Sequence, residues 1–158
     1  MILVSACLAG IEVRYDGGHC LTDKVRMLVE EGQAVTVCPE VLGGLTTPRE
    51  PAEIIGGNGE DVLDGKAKVI DITGKDVTEN FMKGAYIALE KAKKLNATLV
   101  VLKENSPSCG SSMIYDGSFT GKKTPGLGVT AALLKRHDIQ VISDEEFLEQ
   151  LTEKLKFE

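Results

Sequence analysis

Four cysteines, Cys7, Cys20, Cys38 and Cys109, are the residues of this sequence with the most reactive side chains. Thiolates bind soft metals and iron–sulfur clusters, and they also act as nucleophiles. The sequence begins without the basic and apolar pattern of an export signal, so we expect a cytoplasmic protein. Because disulfides are disfavoured in that reducing compartment, metal binding or thiol chemistry is the better explanation of several cysteines.

Three of the four cysteines follow predicted apolar strands. These strands cover residues 2–7, 34–38 and 97–102, and the cysteines at or shortly after their ends are Cys7, Cys38 and Cys109. The carboxyl ends of parallel strands meet at one edge of a sheet, where ligands of open α/β folds bind. We therefore expect these three thiols to converge. Cys20 lies beside His19 in the loop after the first strand and is predicted to be a bystander.

The spacing of the cysteines favours a cluster over a structural zinc site. No CxxC pair of the kind that holds structural zinc is present. Three thiolates from three separate loops suit a [4Fe–4S] cluster, which usually has four cysteine ligands, with one iron not bound by protein. An open coordination position is typical of a catalytic metal site. Three small buried hydrophobic residues without a common ligand are the alternative.

Polar residues accompany two of these cysteines. Glu40 follows Cys38 by two residues and is a candidate general acid or base, with an exposed loop carboxylate as the alternative. Ser106 and Ser108 precede Cys109 in a Ser-Pro-Ser-Cys block. Their hydroxyl groups can hydrogen-bond to cluster sulfur or hold a water molecule, although the same block also fits a simple turn.

The elements that must position these residues alternate between strands and helices. The clearest helix begins at Asp76 or Thr78 and ends near Leu95, with apolar residues at helical spacing and lysines in its last turn. This order predicts one α/β domain over residues 1–158, with a Rossmann-like, open and mostly parallel sheet and helices on both faces. Two glycine-rich segments, 40–60 and 105–128, are predicted to be loops that frame one edge of the sheet.

The composition limits the possible functions. The chain has 158 residues, 42% hydrophobic and 27% charged, which is ordinary for a globular protein of one domain. No apolar run approaches the ~20 residues that span a membrane. A net charge of −6 and the absence of Trp argue against broad nucleic-acid binding. The glycine-rich segments contain no phosphate-binding motif between a strand and a helix, which disfavours nucleotide binding.

Several blocks taken together resemble the thiouracil desulfidase family, the TudS-like proteins. They are residues 5–8 (SACL), 14–17 (RYDG), 38–44 (CPEVLGG), 48–49 (PR), 106–110 (SPSCG), 115–117 (YDG) and 126–130 (GLGVT). The resemblance covers about residues 1–145. Ala9 and Val13 depart from the common pattern of the family, and neither is a predicted ligand.

The resemblance implies a [4Fe–4S] cluster held by Cys7, Cys38 and Cys109, with one iron not bound by protein. That iron would take the sulfur of a small thiolated nucleobase such as thiouracil. A water molecule positioned by Glu40 and by Ser106 or Ser108, with Ser106 favoured, would replace the sulfur at the ring carbon. The expected reaction is hydrolysis of C=S to C=O with release of sulfide and no redox change.

Two other functions are compatible with the sequence. A non-catalytic metal-binding or redox-sensing module would use the same cysteines, with Cys20 as a fourth ligand. A cysteine-nucleophile hydrolase is less well supported, because neither His19 nor His137 is placed as an obvious activating base.

Overall fold

A computed structural model of the protein describes residues 1–5, 23–46, 50–103, 107–144, 146–147 and 149–150. Among the residues that the sequence singles out, Cys7, His19, Cys20 and Ser106 lie outside these ranges. In chain order the elements are β1 (Ile2–Ser5), α1 (Asp23–Glu30), β2 (Ala34–Val37), α2 (Pro39–Leu42), β3 (Ala52–Ile55), α3 (Gly59–Leu63), β4 (Lys68–Asp71), α4 (Thr78–Lys94), β5 (Leu99–Leu102), β6 (Met113–Tyr115), β7 (Lys123–Pro125), α5 (Val129–Arg136) and β8 (Val141–Ser143).

Four strands form a parallel sheet in the order β2-β1-β5-β8. Ser5 pairs with Val37 at the end of β1 and β2, and Leu102 pairs with Ser143 at the end of β5 and β8. All four strands therefore end at the same edge, which we call the carboxyl edge. Parallel strands covered on both faces need apolar side chains at nearly every position, and these short strands have them.

The two faces of this sheet are covered by different helices. Leu3 and Val100 belong to the core shared with α4 and α5. Val4 and Val101, the next residues along the same strands, pack instead in a smaller core with Leu28 of α1. Successive side chains of a strand point to opposite faces, so this division follows from the strand period. The predicted α/β fold with a mostly parallel sheet and helices on both faces is confirmed.

The two segments predicted to be loops contain regular structure. Segment 40–60 includes most of α2, all of β3 and the start of α3, and β3 pairs antiparallel with β4. Segment 105–128 includes the antiparallel pair of β6 and β7. These elements have only three to five residues. That length is too short for a periodic pattern, and glycines separate them.

A buried carboxylate joins the two antiparallel pairs. Glu53 in β3 accepts hydrogen bonds from the backbone N–H of Gly117, at 2.9 Å, and of Phe119, at 3.3 Å. The turn between β6 and β7 is thus attached to β3. No helix among the described residues is long and apolar enough to cross a membrane.

Candidate functional site

Cys38 lies at the carboxyl edge, directly after β2 and at the N-cap of α2. Its backbone is extended, and its carbonyl accepts the hydrogen bond of Leu42 N–H at 3.0 Å. Pro39 occupies the first helical position, where its fixed φ angle fits and its missing N–H is not needed. The side chain of Cys38 is half-buried, and it is not part of a disulfide.

Glu40 lies in the first turn of α2, two residues after Cys38. The residue is half-buried and lies in an ordered helical turn. The backbone carbonyl of Glu40 accepts a hydrogen bond from Leu45 N–H at 3.1 Å, which closes the segment after the helix. The structure therefore brings the predicted acid–base residue and a predicted ligand into the same turn.

Close backbone packing against α4 fixes this turn. A Cβ atom at Gly43 would overlap the carbonyl oxygen of Asn80, and one at Gly84 would overlap the carbonyl oxygen of Pro39. Asn80 also donates its side-chain amide to the carbonyl of Gly43 at 2.9 Å. Only glycine allows helices to approach so closely. The longest helix of the described chain thus serves as a rigid support for the segment that carries Cys38 and Glu40.

Cys109 lies in the turn 107–110, which is attached to the start of α5. The N–H groups of Val129 and Thr130 donate to the carbonyls of Pro107, at 2.8 Å, and Ser108, at 2.9 Å. The first N–H groups of a helix have no partner within the helix, so the turn supplies the missing acceptors. Cys109 itself is buried and is not part of a disulfide.

Gly128 makes this attachment possible. A Cβ atom at this position would lie 2.5 Å from the carbonyl oxygen of Ser108 and 2.7 Å from the amide nitrogen of Cys109. Such distances are too short for any side chain. The preceding carbonyl, of Leu127, accepts a hydrogen bond from Gly59 N–H at 2.7 Å, which ties the same segment to α3.

Ser108 is a completely buried residue, with 0% of its surface exposed. Its hydroxyl lies 2.7 Å from the hydroxyl of Thr130, which is also buried. Buried hydroxyl groups need such partners, because an unpaired one loses its hydration without compensation. The side chain of Ser108 therefore joins the cysteine turn to α5.

Ser5, at the carboxyl end of β1, connects β1, β5 and Cys109. It is 4% exposed. Its hydroxyl donates to the sulfur of Cys109 at 4.0 Å and accepts the backbone N–H of Lys103 at 3.0 Å. The sulfur of Cys109 therefore lies beside Ser5, the last residue of β1. In the sequence, Ser5 precedes Cys7 by two residues.

An ion pair lies at the same edge of the sheet. The Nζ atom of Lys103, after β5, is 3.2 Å from the carboxylate of Asp144, after β8. Both side chains are largely shielded from solvent, with 30% and 13% of their surfaces exposed. The pair links the segments that follow two neighbouring strands.

The structure thus places two of the three predicted ligands at the carboxyl edge. Cys38 follows β2, and Cys109 contacts the end of the adjacent strand β1. Cys7, the third predicted ligand, lies outside the described residues. Within those residues no three Cys, His, Asp or Glu side chains form a metal-binding group. The three-cysteine ligand set therefore stays a prediction, as does the assignment of Ser106.

Sequence reasoning missed Ser5 and Thr130, whose partners are distant along the chain. Ser5 is 104 residues from Cys109, and Thr130 is 22 residues from Ser108. One signal was present for Ser5. A polar residue at the buried end of an apolar strand, two positions before a candidate ligand, indicates a specific hydrogen bond.

One family model and two known proteins are similar to this chain over most of its length. The sequence model of a family described as 2-thiouracil desulfurase matches residues 2–146. The chain is 62% identical over 146 residues to the uncharacterized protein YbbK of Bacillus subtilis (strain 168), covering 92% of this chain and 97% of YbbK. The solved structure of the [4Fe-4S]-dependent thiouracil desulfidase TudS is similar with a TM-score of 0.82 and 44% sequence identity. That match covers 99% of this chain and 98% of the TudS chain.

Proposed function

The chain belongs to the 2-thiouracil desulfurase family, and from this membership we propose that it is a [4Fe–4S]-dependent desulfidase. Its substrate would be a small thiolated nucleobase such as thiouracil, in which C=S is replaced by C=O. The observation that carries the proposal is the similarity to TudS over 99% of this chain, at 44% identity. The position of Cys38 and Cys109 at one edge of the sheet supports it.

We propose that Cys7, Cys38 and Cys109 hold the cluster. The two described cysteines suit this purpose, because both offer soft sulfur donors outside any disulfide. Cys7 is two residues beyond Ser5, whose hydroxyl contacts the sulfur of Cys109. When bound, the cluster would supply a Lewis-acidic iron, not bound by protein, for the sulfur of the substrate.

Glu40 would act as the general base and general acid of the reaction. Glu40 is half-buried and lies in the same turn as Cys38. Glu40 would accept a proton from a water molecule as the water oxygen attacks the ring carbon, and would return it to the departing sulfur. The hydroxyl group formed by this attack gives up the second proton of the water as C=O forms and the C–S bond breaks, so that C=S and H₂O become C=O and H₂S. The reaction is therefore a hydrolysis, with no gain or loss of electrons.

We assign the second water-positioning group to Ser106. The sequence leaves Ser106 and Ser108 as alternatives, but the hydroxyl of Ser108 is fully buried and paired with Thr130. A water molecule and a substrate in solution do not reach it there. Ser108 would act instead as a positioning residue for Cys109.

A cytoplasmic location belongs to the same proposal, because three thiol ligands require a reducing compartment. The test is turnover. Protein reconstituted with iron and sulfide under anaerobic conditions is expected to convert 2-thiouracil to uracil, with one sulfide released per uracil formed. A protein that carries the cluster but releases no uracil or sulfide would contradict the enzymatic proposal and favour a metal-binding or redox-sensing module.

A further inference from the structure

The hydroxyl of Ser5 meets the sulfur of Cys109 in the interior, at the end of β1. We propose that Ser5 is a positioning residue for the cluster, whose hydrogen bond to the Cys109 sulfur raises the reduction potential and weakens the bond of that sulfur to iron. This inference rests on the proposed function, since it requires Cys109 to be a ligand.

The backbone sets the direction of this hydroxyl. The oxygen of Ser5 accepts the N–H of Lys103 at 3.0 Å, across 98 residues of sequence. Because the acceptor side of the oxygen is occupied by a main-chain group of the neighbouring strand segment, the hydroxyl hydrogen is available for the sulfur of Cys109 at 4.0 Å. Ser5 is the last residue of β1 and Lys103 directly follows β5, so the pairing of these two strands holds the hydroxyl and the amide close together.

The charge of the ligand would strengthen this contact. A separation of 4.0 Å to sulfur is long, and a neutral thiol accepts hydrogen bonds weakly. A thiolate carries negative charge, and hydrogen bonds to ionised groups are about twice as strong as neutral ones. Ser5 is 4% exposed, so water does not compete effectively for its hydroxyl.

The consequence for a cluster follows from its charge. Reduction adds an electron and increases the negative charge on the sulfur ligands. A hydrogen-bond donor therefore stabilises the reduced form more than the oxidised form, and such bonds are among the determinants of cluster potential. The same donor withdraws electron density from the iron–sulfur bond and weakens it.

The test compares Ser5→Ala with Ser143→Ala in the reconstituted protein. Ser143 is the matched control, because it is also 4% exposed and also ends a parallel strand of the sheet. Its hydroxyl oxygen likewise accepts a backbone N–H, that of Glu146, at 3.1 Å. In Ser5→Ala we expect a lower reduction potential and a shift of the iron–sulfur(Cys) stretching band to higher frequency. Ser143→Ala and Ser5→Thr, which keeps the hydroxyl, are expected to retain the wild-type values.

A second measurement uses only wild-type protein, so it tests the inference even if the Ser5→Ala protein fails to fold. The hydroxyl hydrogen exchanges with solvent on opening, so wild-type protein reconstituted in D₂O is expected to show a shifted stretching band. Unchanged potential and spectrum in a cluster-containing Ser5→Ala protein, or no D₂O shift in wild type, would overturn the inference. Absence of any cluster from wild-type protein would instead overturn the proposed function, so the two failures are distinguishable.

Discussion

The hydroxyl groups of Ser108 and Thr130 lie 2.7 Å apart in the buried interior. Ser108 directly precedes Cys109, and Thr130 is the second residue of α5. The backbone N–H of Thr130 also donates to the carbonyl of Ser108 at 2.9 Å. Two hydrogen bonds, one between side chains and one between backbone groups, therefore join Ser108 to the first turn of α5. The position of the Cys109 sulfur therefore depends on the first turn of α5.

Replacement of Thr130 by Val should destabilise the protein, because this isosteric change leaves the hydroxyl of Ser108 buried with one partner fewer. We expect a loss of about 1–3 kcal/mol in the free energy of unfolding, measured by urea denaturation. The double variant Ser108→Ala with Thr130→Val removes both hydroxyls and should lose less than the sum of the single variants. Additive losses would contradict a direct bond between the two side chains.

Replacement of Glu40 by Gln should lower turnover while leaving the cluster in place. A general acid–base group contributes about 10²–10⁴-fold to a rate, and glutamine has a similar shape but cannot accept the proton. The measurement is uracil formation per cluster in the reconstituted variant. Glu79→Gln, at an exposed position in the first turn of α4, is the matched control. Equal turnover in Glu40→Gln and wild type would remove Glu40 from the reaction.

Replacement of Gly84 by Ala should destabilise the protein, although alanine in a helix interior is usually more favourable than glycine by about 1 kcal/mol. The added Cβ would overlap the carbonyl oxygen of Pro39 and push α2 away from α4. Overpacking of this kind costs about 1–3 kcal/mol. Iron content after reconstitution should fall as well, since Cys38 caps α2.

Lys83→Ala provides the control for this substitution, because Lys83 is the adjacent, exposed residue of the same helix. Its stability and iron content should match those of wild type. A Gly84→Ala protein more stable than wild type would show that the two backbones do not meet as closely as described.

Asp71 should make stability depend on pH in the acid range. Its carboxylate accepts the hydroxyl of Thr73 at 2.6 Å and the N–H groups of Thr73 and Lys75. These hydrogen bonds, that of the Thr73 hydroxyl above all, hold the pKa of Asp71 below its ordinary value of 3.8. A lowered pKa gives stability that is present above 3.8 and is lost as the pH falls through the lowered value.

Urea denaturation across this range checks the effect. Asp71→Asn should be less stable than wild type at neutral pH, and the difference should shrink as the pH falls below 3.8. Thr73→Ala, which lacks the donating hydroxyl, should reduce the pH-dependent part of the free energy of unfolding that Asp71 contributes. A difference between Asp71→Asn and wild type that stays constant with pH would exclude this explanation.

The fold and the place of the site could be predicted largely from strand ends. Apolar strands ending at or near Cys7, Cys38 and Cys109, together with alternating helices, lead to one edge of a parallel sheet by general rules of topology. The 17 residues of α4 form a long amphipathic pattern that is easily recognised. The structure confirms the fold and the position of Cys38 and Cys109 at that edge.

The remaining features depend on contacts that sequence spacing does not encode. The bond from Ser5 to Cys109 requires the register of β1 against β5, and the burial of Ser108 requires the docking of its turn on α5. Short elements such as β3 and β6 gain their stability from pairing with β4 and β7, not from local preference. For these reasons the burial of Ser108 and its bond to Thr130 could not be predicted from the sequence.

Iron and sulfide analysis with Mössbauer spectroscopy, after anaerobic reconstitution of single Cys-to-Ser variants, tests the central proposal most directly. Wild type and Cys20→Ser should each contain one [4Fe–4S] cluster per chain, whereas Cys7→Ser, Cys38→Ser and Cys109→Ser should each lose it or hold it weakly. A wild-type protein without such a cluster, or a Cys20→Ser variant that loses the cluster while Cys7→Ser retains it, would contradict the account.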